Sequence, residues 1–409
     1  MAGIYPFKNY RVLFTPLIGE NEYGTTVDVT LDVDLTDFIN SLGTIKREID
    51  NGDYDFGIQT FGDISLNVIN YTRKFNNPDD SQSIFKYRRD RCKVEVLFYE
   101  ADGTSTTRFK GLINDDATRI NISKGTIRFK ILSLDSIFRQ VKIPSGAIVD
   151  GDLFSTAIKK ILNVPEITTT LIYSASNINV DFDVSLDVGE DFSDITAKSG
   201  LDDLLLASNS ILYVDNSDVI HVKSRIEGAT VFNLYGGSDY YGRENIISIK
   251  NYNTGVQRAF NSIKVNDNTV KTNDAWVAEY GFRQKSLSFS FITTLSKEEE
   301  IADRILLEFH VPKEEIEVDV KTDDVKNIDL FDVVKIDYGY RVTPHQNDDT
   351  MPMYGQAEYG INYYAVSSGS FMILPNEKWK VTSIDENPKK MTTKLRLKKT
   401  GKTNHEGYF

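Results

Sequence analysis

Hydrophobic positions along this chain alternate with polar ones over most of its length, the two-residue period of strands with one buried face. Tyr10, Val12 and Phe14 open the pattern, Val27, Val29, Leu31 and Val33 continue it, and Ile64, Leu66 and Val68 follow a Gly-rich turn at Gly57 to Gly62. Val94, Val96 and Phe98 lead to the turn Ala101-Asp102-Gly103-Thr104, and Phe109, Leu112 and Ile113 come after it. Ile120 and Ile122, the turn Ser123-Lys124-Gly125, and Ile127, Phe129 and Ile131 spell the clearest hairpin. Only Asp37 to Leu42 and Asp135 to Phe138 suggest helical turns here. Residues 1–142 therefore read as an antiparallel sandwich or barrel.

The period changes over 143–226. Asp152 to Leu162 puts Phe154, Ile158, Ile161 and Leu162 on one helical face and stops at Asn163 and Pro165. A second helix is expected from Ser199, whose oxygen would cap it and whose Asp202 suits the positive end of the dipole, with Leu201, Leu204 and Leu205 on its apolar face. After Asn209 a hairpin follows: Ile211 to Val214, the turn Asp215 to Asp218, then Val219, Ile220 and Val222. This is a small α+β insert with two helices. Its closing stretch, Ser199 to Arg225, would hand the chain to the next module and fix the angle between the two.

Residues 227–409 return to strands, with Ile246 to Ile249, Ser262 to Val265, and Leu287, Phe289 and Phe291. One helix interrupts them: Ser296 with Glu299 forms a capping box, Ile301, Ile305 and Phe309 recur at i, i+4 and i+8, and Pro312 ends it. Strands resume at Ile316, Val318 and Val320, at Val334, Ile336 and Tyr338, at Trp379 and Val381, and at Leu395 and Leu397. The fold class is thus mainly β with some helix: two antiparallel, tube-like β domains, 1–142 and 227–409, flanking the insert at 143–226. The two β regions each end in an aromatic-bearing strand (Phe109 or Trp379), a polar link and a final hairpin, a pattern that fits distant copies and fits chance equally. A Gly/Tyr/Asn-rich insertion at 339–376 is too long for a plain connection. Its Tyr340, Tyr354, Tyr359, Tyr363 and Tyr364 are candidates for a partner interface, because tyrosine offers rigid contact area with a polar tip. The competing reading is a hairpin extension whose tyrosines pack on their own domain.

Composition narrows the function. The 409 residues carry a formal charge of -13, which argues against gripping nucleic acid or an anionic membrane, since both need clustered Lys and Arg. No apolar run is long enough to cross a membrane, and the N-terminus lacks the apolar core of a signal peptide, so synthesis in a cytoplasm is expected. Cys92, the single cysteine, permits no intrachain disulfide and no cysteine-based metal cluster, and reads as a half-buried strand residue.

No catalytic, cofactor or metal site emerges. The chain has no nucleophile elbow, dinucleotide fingerprint, phosphate loop or metalloprotease motif. Its histidines, His221, His310, His345 and His405, are scattered, and His221 alternates with Ile220 and Val222 as a solvent-facing strand residue would. His345 with Asp348 and Asp349 could share a metal, yet such residues also fill polar loops. The Asp pairs at 79–80, 115–116, 202–203, 323–324 and 348–349 could supply facing carboxylates for glycosidic cleavage, but they sit at expected turns and helix starts, where aspartate caps free N–H groups. Asp50 to Asp55 lacks the distal Glu of a calcium loop, and Glu298 to Glu300 suits a helix first turn.

Three stretches bear a resemblance. KREIDNGDYDFGIQTFGDISLNVIN, followed by SIFKYRRDRCKVEVLFYEADG and RFKGLINDD, resembles the N-terminal β domain of the tail-tip and baseplate hub proteins of tailed bacteriophages. GLDDLLLASNSILYVDNSDVIHVKSR is similar to the helix and hairpin in the middle of those hubs, and KEEEIADRILLEFHVPKEEIEVDV with NIDLFDVVKID is like their second β domain. The insertion at 339–376 and the lack of a fibre or hydrolase extension depart from the family pattern. The resemblance implies a homotrimer whose paired β domains form a pseudo-sixfold ring. Such a ring would join the tail tube, or a distal tail protein beside the tape-measure protein, to a spike or fibre. DNA would pass through its lumen, no catalytic residues would be involved, and the protein would reside in the virion. An acidic lumen would repel DNA phosphates and leave nothing for them to stick to. Two other classes stay open: a β-rich receptor- or carbohydrate-binding module using the tyrosine stretch, and a carboxylate-based glycoside hydrolase.

Overall fold

A computed structural model describes residues 10–15, 19–20, 26–27, 33–49, 57–61, 63–73, 93–99, 104–215, 217–224, 230–236, 244–253, 255, 259–266, 269–310, 312–338 and 377–400. The chain is mainly β and divides into two compact units. The first comprises Met1–Arg225, Ser288–Ile301 and Asp385–Thr392; the second comprises Ile226–Leu287, Ala302–Ile384 and Thr393–Phe409.

The first unit holds β1 (Tyr10–Thr15), β2 (Gly19–Glu20), β3 (Thr26–Val27), β4 (Val33–Asp34), β5 (Ile39–Leu42), β6 (Ile45–Ile49), β7 (Gly57–Phe61), β8 (Ile64–Ile69), β9 (Lys93–Tyr99), β10 (Ser105–Asn121) and β11 (Thr126–Ser133). Seven of them form an antiparallel sheet in the order β4-β1-β9-β10-β11-β8-β5. Its two edge strands are neighbours in sequence, joined only through Leu35 and a 3-10 turn at Thr36–Phe38. Five residues of extended chain reach at most about 17 Å, whereas seven strands laid flat span about 29 Å. The sheet must therefore curl until its edges approach. Thr36 fastens the seam: its Oγ1 accepts the Val12 N–H at 3.1 Å, and Asp34 Oδ1 accepts the Thr36 N–H at 2.9 Å. Alternate residues of these strands, among them Val12, Phe14, Ile64, Leu66, Val68, Val94, Val96, Phe129 and Ile131, fill the interior.

The same unit carries α1 (Ile137–Gln140), α2 (Phe154–Leu162), α3 (Pro165–Thr168), α4 (Ala197–Ala207) and the hairpin β12 (Ser210–Val214) with β13 (Ile220–Ser224). β12 adds in parallel to β7, which pairs antiparallel with β6. The expected helix and hairpin over Ser199 to Arg225 are present, but α4 begins earlier than its serine suggested. Thr196 is the N-cap, and its Oγ1 accepts the Ser199 N–H at 3.2 Å. Gly200 lets α4 approach closely, since a Cβ there would lie 2.7 Å from Ile143 Cδ1.

The second unit contains β14 (Thr230–Gly236), β15 (Ile246–Asn253), β16 (Ser262–Val265), β17 (Thr269–Thr272), α5 (Asp274–Tyr280), β18 (Gln284–Leu287), β19 (Glu315–Lys321), β20 (Val333–Tyr338), β21 (Glu377–Asn387) and β22 (Thr392–Lys399). Its main sheet runs β14-β20-β21-β22-β19-β15. The ends of that path meet through one buried residue: Asn245 Oδ1 accepts the Tyr235 N–H at 2.7 Å, and the Asn245 backbone N–H donates to the Tyr235 carbonyl at 3.0 Å. β14 joins β20 in parallel. A separate, smaller sheet runs β17-β16-β18, with β16 and β18 parallel.

α6 (Leu295–Phe309) buries the expected stripe Ile301, Ile305 and Phe309. Several local expectations differ. Gly57–Phe61, expected as a turn, is strand β7, and Ile39–Leu42, expected within a helical turn, is β5. Ser296 lies inside the helix and does not cap it. Phe289 and Phe291 are outside any strand; Phe291 packs edge-on against Phe154 at 6.1 Å and against Phe192 at 5.0 Å.

Candidate functional site

The tyrosines proposed for a partner interface, Tyr340, Tyr354, Tyr359, Tyr363 and Tyr364, lie outside the described residues, as do Cys92, His345, Asp348, Asp349, His405 and the Asp50 to Asp55 stretch. The remaining sequence candidates can be placed. His221 is half-buried on β13, with Nε2 2.9 Å from Asp215 Oδ2 and its ring stacked on Tyr213 at 4.9 Å. The Lys223 ammonium sits 4.6 Å from the other aromatic partner, Tyr213. Asp215 also accepts the N–H groups of Ser217 and Val219, so its carboxylate shapes the hairpin turn as well as holding the imidazole. A shallow pocket beside this turn, lined by Thr107, Lys110, Leu134 and Asp218, is spanned by the Lys110–Asp218 ion pair at 2.7 Å.

Asp79 and Asp80 lie outside the described residues, and the pairs at 202–203 and 323–324 sit on separate elements. Asp202 pairs with Lys198 one turn earlier on α4. Burial, with the Asp202 charge adding to it, pushes the Asp203 carboxyl up to about 6. That residue is exposed at the surface of α4, so solvent screens much of the effect. Asp323 and Asp324 occupy a 3-10 turn at Thr322–Val325. Among the described residues, no group of three or more His, Cys, Asp or Glu side chains could hold a metal ion.

The aspartates in the segment between α3 and α4 are architectural. Asp181 accepts from Asn209 Nδ2 at 2.8 Å and from Ser224 Oγ at 2.9 Å, pinning both ends of the β12–β13 hairpin. Asp183 caps α2, accepting the Ser155 N–H at 2.9 Å and its hydroxyl at 2.7 Å. Asp187 receives the Thr293 and Thr294 N–H groups, each at 2.7 Å, immediately before α6, and pairs with Lys297. Burial alone would raise the Asp187 carboxyl, but these hydrogen bonds outweigh it and hold the carboxyl well below the usual range. Three aspartates within seven residues thus anchor three separate elements of the first unit.

A second network is buried. Arg47 on β6 and Arg108 on β10 flank Glu386, at 3.8 and 3.6 Å, and all three side chains are only 1–2% exposed. Arg108 owes its position to a β-bulge: the β9–β10 register shifts between Thr107 and Phe109, so Arg108 and Phe109 both turn inward. Its guanidinium lies 5.8 Å from the centre of the Phe98 ring. A buried ion cluster of this kind fixes strand positions and gives little surplus stability.

No family model matches the chain, and no curated protein matches it in sequence. Solved structures do match in fold. The tail protein from Neisseria meningitidis MC58 aligns with a TM-score of 0.56 at 14% identity, over 98% of this chain and 100% of that one. The 43 kDa tail protein of prophage MuSo2 from Shewanella oneidensis aligns at 0.51 and 10% identity, over 96% and 97%. A prophage tail protein from Listeria monocytogenes EGD-e aligns at 0.50 and 12% identity, over 96% and 95%. Along nearly its whole length, the chain is therefore similar in fold to solved tail proteins, two of them from prophages.

Proposed function

We propose that this chain is a non-enzymatic structural hub of a phage tail tip or baseplate. Three copies form a ring in which each contributes two tube-like β domains, 1–142 and 227–409, linked by the insert at 143–226. The ring adapts the sixfold tail tube, beside the tape-measure protein, to a threefold spike or fibre, and lets DNA pass. The observation that carries this reading is the presence of two separately curled sheets in one chain, because a pseudo-sixfold ring needs two similar elements from each of three subunits. The fold likeness to tail proteins and the acidic balance support it. The tyrosines at 340 to 364 are proposed as the surface that meets the distal partner.

The test is single-particle imaging of the purified protein, alone and with its tube neighbour. A threefold ring with six β domains around an acidic channel is expected. A monomer or an even-numbered closed oligomer, or a ring whose channel wall is strongly basic, would sink the proposal.

A further inference from the structure

Two exposed surfaces of the first unit carry opposite charge around apolar side chains. One is the tip of the β10–β11 hairpin. Tyr71 and Ile122 there are each 75% exposed and Ile120 is 40% exposed. Tyr71 is held against the tip: Gly125, at φ +55°, has the Tyr71 ring where its Cβ would otherwise be, 2.2 Å from Cδ1, and the Asn70 N–H donates to the Gly125 carbonyl at 2.7 Å. Exposed Arg73 and Lys124 lie in the turns beside these side chains, and exposed Arg119 and Arg128 project from the other face of the same hairpin. Arg119 and Arg128 are direct cross-strand partners, a like-charge pairing that costs stability unless an anionic surface meets it. Asp116, in the bulge below, is the exposed acid nearest in sequence.

The other surface belongs to the insert. Val149, Leu153 and Leu295 are 48%, 44% and 56% exposed. Their segments are stitched together, because Gly189 N–H donates to Asp150 Oδ1 at 2.7 Å, Leu153 bridges Ser185, and Lys297 Nζ reaches the Ser185 carbonyl at 2.7 Å. In the same segments Asp191 and Asp194 are exposed, as are Asp150 and Asp183, which also accept hydrogen bonds from Gly189 and Ser155, while the cations Lys160 and Lys297 are engaged by Asp152 and Asp187. Lys142 borders the patch.

We propose that these two faces dock on each other between copies of this chain, the basic hairpin tip of one seated on the acidic insert face of the next. Each has the composition of an interface: a few apolar or aromatic anchors with a charged rim that fixes orientation and speeds encounter. Being two different patches, they make a head-to-tail contact, which closes into a ring when the rotation per step allows. The proposal rests on the ring reading and names the contact that builds it.

Sedimentation velocity on the full chain, at several protein concentrations and at low and high salt, tests it. Reversing the tip (Arg119→Glu with Lys124→Glu) or the insert face (Asp191→Lys with Asp194→Lys) is expected to weaken association by about tenfold or more. Combining all four substitutions in one chain restores it. Ile122→Ser, at a mostly exposed turn position, weakens association without altering the melting temperature and so separates docking from folding. Wild-type association that neither reversal changes would overturn this contact and leave the ring reading standing, as would loss in both reversals without recovery in the combined chain. A wild-type chain that stays monomeric throughout would overturn both.

Discussion

The two main sheets close their seams in different ways. In the first unit the edge strands β4 and β5 are consecutive, so a connection of a few residues forces the curl and Thr36 fastens it to β1. In the second unit the path ends, β14 and β15, are brought together by the side chain and backbone of Asn245. One seam is imposed by chain length, the other by a buried amide. A short tether survives the loss of a hydrogen bond; an amide bridge does not. The first unit, though, also encloses two guanidiniums around the Glu386 carboxylate, and there a single substitution reaches furthest.

The largest expected effect comes from that cluster. Glu386→Gln removes the carboxylate between two almost fully buried guanidiniums, and the expected loss is about 3–5 kcal/mol, measured by urea unfolding of the first unit's signal. Next comes a direct comparison of the seams. Asn245→Ala leaves the Tyr235 N–H without its acceptor at a cost of about 1–3 kcal/mol, and hydrogen exchange should accelerate along β14 and β15. Thr36→Val likewise strips the acceptor from Val12, but the tether keeps β4 beside β1, so faster exchange should stay confined to Val12 and its neighbours. Equal spreading in both variants would abolish the distinction drawn here.

The smallest effect concerns Asp203. Its carboxyl is raised from 3.8 to about 6, so the folded state favours the protonated form, and the associated stability is fully present below 3.8 and lost as pH rises through 6. Asp203→Asn lacks this titration. Its advantage over the wild type should be absent at pH 3.5 and present at pH 7.5, limited by solvent screening to about 0.5 kcal/mol or less. A larger gain would mean that Asp203 is far less solvated than its position on α4 indicates.

Much of the fold could be read from the chain because strands and helices announce themselves locally. Ile120 to Ile131, Ile211 to Val222 and the stripe Ile301, Ile305 and Phe309 each appear where periodicity puts them. What periodicity misses is long-range. Ser199 and Ser296 look like caps, yet Thr196 caps α4, and Asp187 meets the N–H groups ahead of α6 from more than one hundred residues away. Asp183 does the same for α2 from twenty-eight residues away. Arg108 reads as a surface residue beside Phe109 until the bulge turns both inward. The single aspartates Asp181, Asp183 and Asp187 carry no periodic signal, yet each fastens an element that arrives earlier or later in the chain.

The buried cluster also sets a schedule. Arg47 and Arg108 belong to the first quarter or so of the sequence, and Glu386 is 278 residues beyond Arg108. The first unit is completed only by segments that follow Arg225, the last of them Asp385–Thr392. A nascent chain that has already formed its N-terminal sheet lacks that carboxylate until the late segment arrives. The ion cluster of the first unit therefore joins residues that are synthesised far apart in time, and it can assemble only after the 385–392 segment has been made.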